Sequence, residues 1–365
     1  RGSWPWQCVL DSVRHMDAGP DGVKVASGVD SAMNGRKAWG LAAILGVAGL
    51  LIGGVLLSLD RDETAPGLVR YNAQYIDAGA MLRLTETLSS DALEGRATGT
   101  RGNQAARDFV QKRFETLSLR QFGETYVQPF AVISSDDGEA PISGANVVGW
   151  IAGQTPGEGP AIVITAHYDH LGVVDGAVYN GADDNASGTA ALIAVAEYFT
   201  RHAPRHDIIF AAFDAEEIGH LGSRNLVRSP PVPLERIALN INYDMVSRSA
   251  AGELYVAGTF HTPGLKPLVE LVATDAPVRI LMGHDDPALG QADDWTLLSD
   301  HAAFHEAGIP FLYFGVEDHP GYHQPTDDYS DITPDFFARA GDALVIAAMA
   351  ADDDLESIAE MRRAD

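Results

Sequence analysis

The chain has 365 residues, 46% of them apolar, with 51 acidic against 25 basic side chains and a net charge of −26. That length buries one large domain with additions, and the acidity excludes a nucleic-acid partner, because phosphate recognition needs clustered Lys and Arg. The single cysteine, Cys8, excludes a disulfide framework, cysteine zinc sites and a cysteine nucleophile in the main domain.

Residues 1–38 show no clear periodicity, and Met33-Asn-Gly-Arg-Lys reads as a natural start. What precedes it is then a cytoplasmic segment or a mis-annotated extension. Trp39 to Leu59, WGLAAILGVAGLLIGGVLLSL, carries no charge and has the length of a bilayer-crossing helix. Arg36 and Lys37 precede it, and Asp60, Asp62 and Glu63 follow it. This bias puts the N-terminus in the cytoplasm and the rest on the periplasmic or extracellular side. No A-x-A-like site follows the apolar run, so the expectation is an uncleaved single-pass anchor; a cleaved signal, giving a secreted protein, is the rival. Gly49 and Gly53 form a GxxxG spacing that a glycine-rich span produces by chance. Residues 60–79 read as a polar linker, 80–355 as the main domain and 356–365 as a tail.

Within the main domain helices and strands alternate. Asn103 to Leu119 has helical spacing at Phe109, Val110, Phe114 and Leu117. Ala145 to Ile151 and the continuous apolar run Ala161 to Ala166 read as strands, and Gly188 to Phe199 as a helix. Ile208 to Phe213 and Ile237 to Tyr243 are further core strands. Ser299 to Ala307 is helical, Pro310 to Phe314 a strand, and Asp335 to Ala351 a closing amphipathic helix. Short buried strands separated by helices predict a mixed α/β fold with a largely parallel central sheet flanked by helices.

The chemistry follows the strands. After AIVITA come His167, Asp169 and His170; after IIFAAF come Glu216 and Glu217. Asp244 follows IALNINY, and the loop after PFLYF holds Tyr322 and His323. Sites in open α/β sheets form at the carboxyl ends of strands, so these residues converge. The glycine-bounded loop Asn180 to Gly188 adds acids to the same crevice. Imidazole plus carboxylate without thiolate suits Zn(II), with Mn(II) or Co(II) as substitutes. Two histidines and three acids suit two metals sharing one bridging carboxylate, which clamp the oxygens of a hydrolysis. Two dications, three carboxylates and one hydroxide sum to zero. The adjacent acids then divide the work: one glutamate binds metal while its neighbour stays free beside the water and shuttles its proton.

HYDHLG, YNGADDNASG, FDAEEIGHLGS, NYDMV and GYHQPTD occur in the order of the motifs of the co-catalytic zinc aminopeptidases. The chain resembles metallopeptidase family 28 over about residues 80–350, and LEGRATGTRGN and SDHAAFHEAGIP look like further family features. The resemblance implies the zinc aminopeptidase, phosphorylase/hydrolase-like fold and two zinc ions per chain. It makes His167 and Asp244 ligands of the first metal, Asp184 the bridge, and Glu217 and His323 ligands of the second. Glu216 becomes the general base, and Asp169 orients the His167 ring from the second shell. The bond from Asp184 to Asn185 is expected to be cis, and Tyr322 to donate to the oxyanion. The implied reaction removes N-terminal residues from peptides with a free N-terminus, through attack by a metal-held hydroxide. A single-zinc glutaminyl cyclase-like acyltransferase and a non-catalytic peptidase-like ectodomain are the alternatives.

Bland readings stand beside these. Asp183 competes with Asp184 for the bridge, and His319 with His323 for the last ligand; the surrounding ASG and Tyr-His-x-Pro-x-Asp patterns favour the latter of each pair. His170 is either local structure or a support. Asp300 and His301 fit the start of a helix or the outer part of the site. His305-Glu306 is no HExxH helix, no G-x-S-x-G occurs, and the Asn185-Ala-Ser sequon sits in the metal loop by coincidence. Side-chain preference and oligomeric state are not legible.

Overall fold

The computed structural model describes residues 69–132, 142–290 and 293–364. The expected anchor at 39–59 lies outside them. Among the described residues no helix is long and apolar enough to cross a membrane.

Helices α1 (Ala78–Leu88) and α2 (Arg101–Thr116) lead into the strands β1 (Val127–Val132), β2 (Ile142–Ile151) and β3 (Ala161–His167). A short hairpin, β4 (Gly172–Val174) and β5 (Ala177–Tyr179), is followed by α3 (Gly188–Arg201), β6 (Asp207–Phe213), α4 (Leu221–Arg228) and β7 (Ile237–Tyr243). Then come β8 (Glu253–Ala257), α5 (Lys266–Asp275), β9 (Arg279–Met282), α6 (His301–Glu306), β10 (Phe311–Gly315), α7 (Pro334–Asp353) and α8 (Leu355–Ala364).

Eight strands form one mixed sheet in the order β1-β2-β6-β3-β7-β10-β8-β9. The central four, β6, β3, β7 and β10, run parallel, while β1, β2 and β8 pair antiparallel to their inner neighbours. Every residue of β3, β6 and β7 is buried. The reason is that helices cover both faces, so each strand needs an apolar run and not an alternation. Ile162, Ile164, Phe210 and Ala212 point into the larger core with α3 and α7, whereas Val163, Ile209, Ala211 and Phe213 face a second cluster with Leu226 and Phe304.

Two expectations need correction. The segment read as a tail from 356 belongs to helix α8, which starts at Leu355 and buries Ile358 in the core. The described end of the supposed linker is also held: Asp342 on α7 accepts hydrogen bonds from the Tyr71 hydroxyl (2.8 Å) and the backbone N–H of Gln74 (2.7 Å) and Tyr75 (2.9 Å).

Candidate metal centre

The carboxyl ends of the parallel strands meet at one cluster. His167 is the last residue of β3, Asp244 follows β7 directly, Glu216 and Glu217 lie in the turn after β6, and His323 lies in the loop after β10. Asp184 comes from the loop Ala182–Ser187 that enters α3. His167 Nε2 stands 3.3 Å from Asp244 Oδ1 and 3.4 Å from Asp184 Oδ1. The other oxygen of Asp184 is 3.2 Å from His323 Nε2, which is 3.4 Å from Glu217 Oε2. Asp184 therefore spans two groups of donors, one holding His167 and Asp244, the other Glu217 and His323. Glu216 Oε2 lies 3.9 Å from His167 Nε2, on the first side.

All five carboxylates here, Asp169, Asp184, Glu216, Glu217 and Asp244, are buried or nearly so. Among the described residues no Lys or Arg forms an ion pair with any of them. Buried charge of one sign is costly unless it is balanced. Histidine nitrogens and carboxylate oxygens within 4.8 Å of one another fit a divalent cation, and two such groups occur: His167, Glu216, Asp244 and His167, Asp184, Glu217.

The adjacent glutamates are driven apart electrostatically. Burial, with Glu217, Asp300 and Asp244 nearby, holds Glu216 well above the usual carboxylate range, although His167 opposes this. Burial also acts against ionised Glu217, but His170 and His323 hold it well below that range. Burial opposes charge on His323 too, yet Asp184 and Glu217 push it up to about 11.

A family model, "Peptidase family M28", matches residues 146–348, more than half of the chain. The chain belongs to peptidase family M28. It is 36% identical over 197 residues to the aminopeptidase YwaD of Bacillus subtilis, covering 52% of this chain and 40% of that protein. A probable zinc metalloprotease of Pyrenophora tritici-repentis is 28% identical over 293 residues, covering 68% and 63%. The chain thus spans less than two thirds of these relatives' own lengths. The zinc aminopeptidase BSAP of Bacillus subtilis superposes with a TM-score of 0.60 at 19% identity, covering 76% of this chain and 96% of that one. A glutaminyl cyclase of Bacteroides thetaiotaomicron, bound to N-acetylhistamine, gives 0.60 at 18%, covering 76% and 98%. These structures share the fold.

Around the cluster, this M28 chain uses hydrogen bonds that its motifs only partly disclose. His167 Nδ1 is nearest the backbone oxygen of Asp169, at 3.3 Å, with the Asp169 carboxylate at 3.7 Å. That carboxylate instead accepts from the N–H groups of Glu216 (3.2 Å) and Glu217 (3.4 Å), so it fixes the turn bearing both glutamates. The bond from Asp184 to Asn185 is cis. Asn185 donates to the Tyr243 carbonyl (2.9 Å) and accepts from Gly188 (2.9 Å) and Met245 (3.3 Å), which ties the loop to the end of β7. Only glycine fits at 188, because a Cβ there would lie 2.4 Å from the Tyr243 carbonyl oxygen. Asp327 accepts from the N–H of Asp183 (3.0 Å) and Asp184 (3.0 Å), and burial pushes its carboxyl up to about 6.

Asp183 and His319 bond to each other and to neither group of donors. Tyr322 stacks on His323 with ring centroids 4.0 Å apart. His170 bonds Glu217 at 2.6 Å. Asp300 leads α6 without capping it, and burial holds its carboxyl at about 7.

Arg96, fully buried, is the support that residue-by-residue reading missed. Its guanidinium donates to the carbonyls of Leu88, Tyr168 (2.8 Å), Asn180 (2.6 Å) and Gly181 (3.0 Å), and burial lowers it to about 10. The available signal was the first of two arginines inside the glycine-rich LEGRATGTRGN.

Proposed function

We propose that this chain is a zinc aminopeptidase that removes the N-terminal residue of peptides. The observation that carries this reading is the convergence of His167, Asp184, Glu216, Glu217, Asp244 and His323 into one cluster of imidazole and carboxylate donors at the carboxyl ends of the parallel strands. The names of its relatives, aminopeptidase and zinc metalloprotease, point the same way. His167, Asp244 and Asp184 would hold a first zinc ion, and Asp184, Glu217 and His323 a second. Bound zinc supplies Lewis acidity, activating a water and polarising the scissile carbonyl.

The protein's own part is positioning and proton transfer. Glu216 presents Oε2 to the cluster, takes a proton at that oxygen and delivers it to the departing amine. Asp169 keeps the Glu216 backbone in place. Burial, followed by Asp184 and Glu217, keeps the Tyr322 phenol protonated, so its hydroxyl is the donor assigned to the oxyanion. Anionic groups left at the cluster's edge attract the substrate's free α-amine. Membrane anchoring through residues 39–59 belongs to the same reading and rests on hydropathy.

The test compares wild type with Glu216→Gln for zinc content and for cleavage of free and N-blocked peptides. Two zinc ions per chain in both, with cleavage of free N-termini lost only in the variant, is the expected result. Cleavage of blocked peptides would overturn aminopeptidase action. One zinc per chain with pyroglutamate formation would favour the cyclase, whose fold is shared. Metal without activity would favour a non-catalytic ectodomain.

A further inference from the structure

We propose that His170 sets the second zinc site, by taking one oxygen of Glu217 for itself and leaving the other to the metal. The inference rests on the two-zinc reading above. His170 Nδ1 lies 2.6 Å from Glu217 Oε1, and Glu217 Oε2 faces His323 Nε2 at 3.4 Å. A carboxylate only accepts, so Nδ1 carries the proton in this contact. Glu217 is thereby fixed as a donor of one oxygen to the ion.

The ring is built in place. His170 is 1% exposed. Its backbone N–H donates to the Arg96 carbonyl at 3.4 Å, and Arg96 is itself locked by carbonyls. Gly181 lies flat against the ring: with φ +55, a Cβ there would stand 2.5 Å from His170 Cδ2. Nε2 is buried without a hydrogen-bond partner, so Glu217 is the ring's main polar commitment. Asp184 Oδ2 is farther, at 3.8 Å.

The ligand side chains of the two halves are oriented by different groups, although Asp169 also holds the Glu217 backbone N–H. His167 leans on the Asp169 backbone oxygen, Glu217 on His170. A group that orients a metal ligand from behind is worth about 10–100-fold in metal affinity. His170 is a positioning residue in this sense, and its loss acts on one ion, not on both.

The experiment titrates the metal-free protein with zinc alone, against a competing chelator, for wild type, His170→Leu and His170→Asn, and records each metal-free Tm. Wild type takes up two ions in two resolved steps. His170→Leu weakens one step about 10–100-fold and leaves the other unchanged. His170→Asn recovers most of that loss, because its amide can donate to the same oxygen. The proposal is overturned if His170→Leu binds both ions like wild type. It is also overturned if both steps weaken together as the metal-free Tm falls, which is a packing role, or if Asn rescues nothing. A wild type binding a single ion overturns the two-zinc reading itself, and is told apart by needing no variant.

Discussion

The Asp183 carboxylate and the His319 imidazole face each other at 3.1 Å. Each competes on paper for a metal-ligand position, and here each is bonded to the other. Asp183 is further occupied by the N–H (2.7 Å) and hydroxyl (2.8 Å) of Ser247. Asp183→Asn and His319→Gln should therefore each cost about 1–3 kcal/mol of stability while zinc content stays at the wild-type level. Asp184→Asn and His323→Gln should lower zinc content. Metal analysis of the four purified variants decides; loss of metal in the first pair would reassign the ligands.

Arg96 is expected to be the costliest single polar residue to remove. Replacing it by Met leaves the carbonyls of Leu88, Tyr168 and Asn180 without this donor, while Gly181 keeps the Ala186 N–H (3.1 Å). At about 1–3 kcal/mol per unsatisfied group, three such groups total at least ~3 kcal/mol. Lys should recover only part, since an ammonium lacks the planar fork. Urea midpoints would show this, and a Met variant within ~1 kcal/mol of wild type would be incompatible with it.

His301 should make the protein acid-sensitive. Burial pushes its ring down to about 3, while Nε2 donates to the Trp295 carbonyl at 2.9 Å. Below about pH 6.5 the unfolded chain takes up a proton that the folded ring refuses. Stability is full above that pH and is lost as pH falls towards about 3, by up to ~1.4 kcal/mol per pH unit. His301→Phe keeps contact with Phe311 and Tyr313 and removes the titration. Its stability at pH 5 relative to pH 7 should exceed that of wild type; equal slopes would show that the ring is not responsible.

Chelation should destabilise the fold as well as silence it. Without cations the buried carboxylates repel one another, and a ligand present at a thousand times its Kd stabilises by about 4 kcal/mol. Scanning calorimetry with chelator, then with zinc restored, should show a fall and recovery of Tm. A Tm indifferent to chelator would mean that no ion is bound in the purified protein.

The parallel core was legible because β3, β6 and β7 are buried on both faces, and such strands announce themselves as apolar runs. The edge strands β1 and β9 were not: Gln128 and Pro129 interrupt one, and exposed Arg279 opens the other. Helix α8 hid behind Asp352, Asp353 and Asp354, which read as a solvated end. Residues that end core strands, His167 and Asp244, could be placed from sequence because strand polarity fixes where they go. Arg96, Asp327 and His170 act through backbone atoms or through another side chain, and such contacts leave no spacing to read.

Asp327 holds the backbone of Asp183 and Asp184 from almost 150 residues downstream. The loop that supplies Asp184 is thus shaped by a late-synthesised segment of the domain. A nascent chain that has emerged only as far as Asp244 carries His167, Asp184 and Glu217 as well, but lacks both His323 and the clasp on Asp184. Translation order itself would then keep the partly made protein from acting as a finished hydrolase.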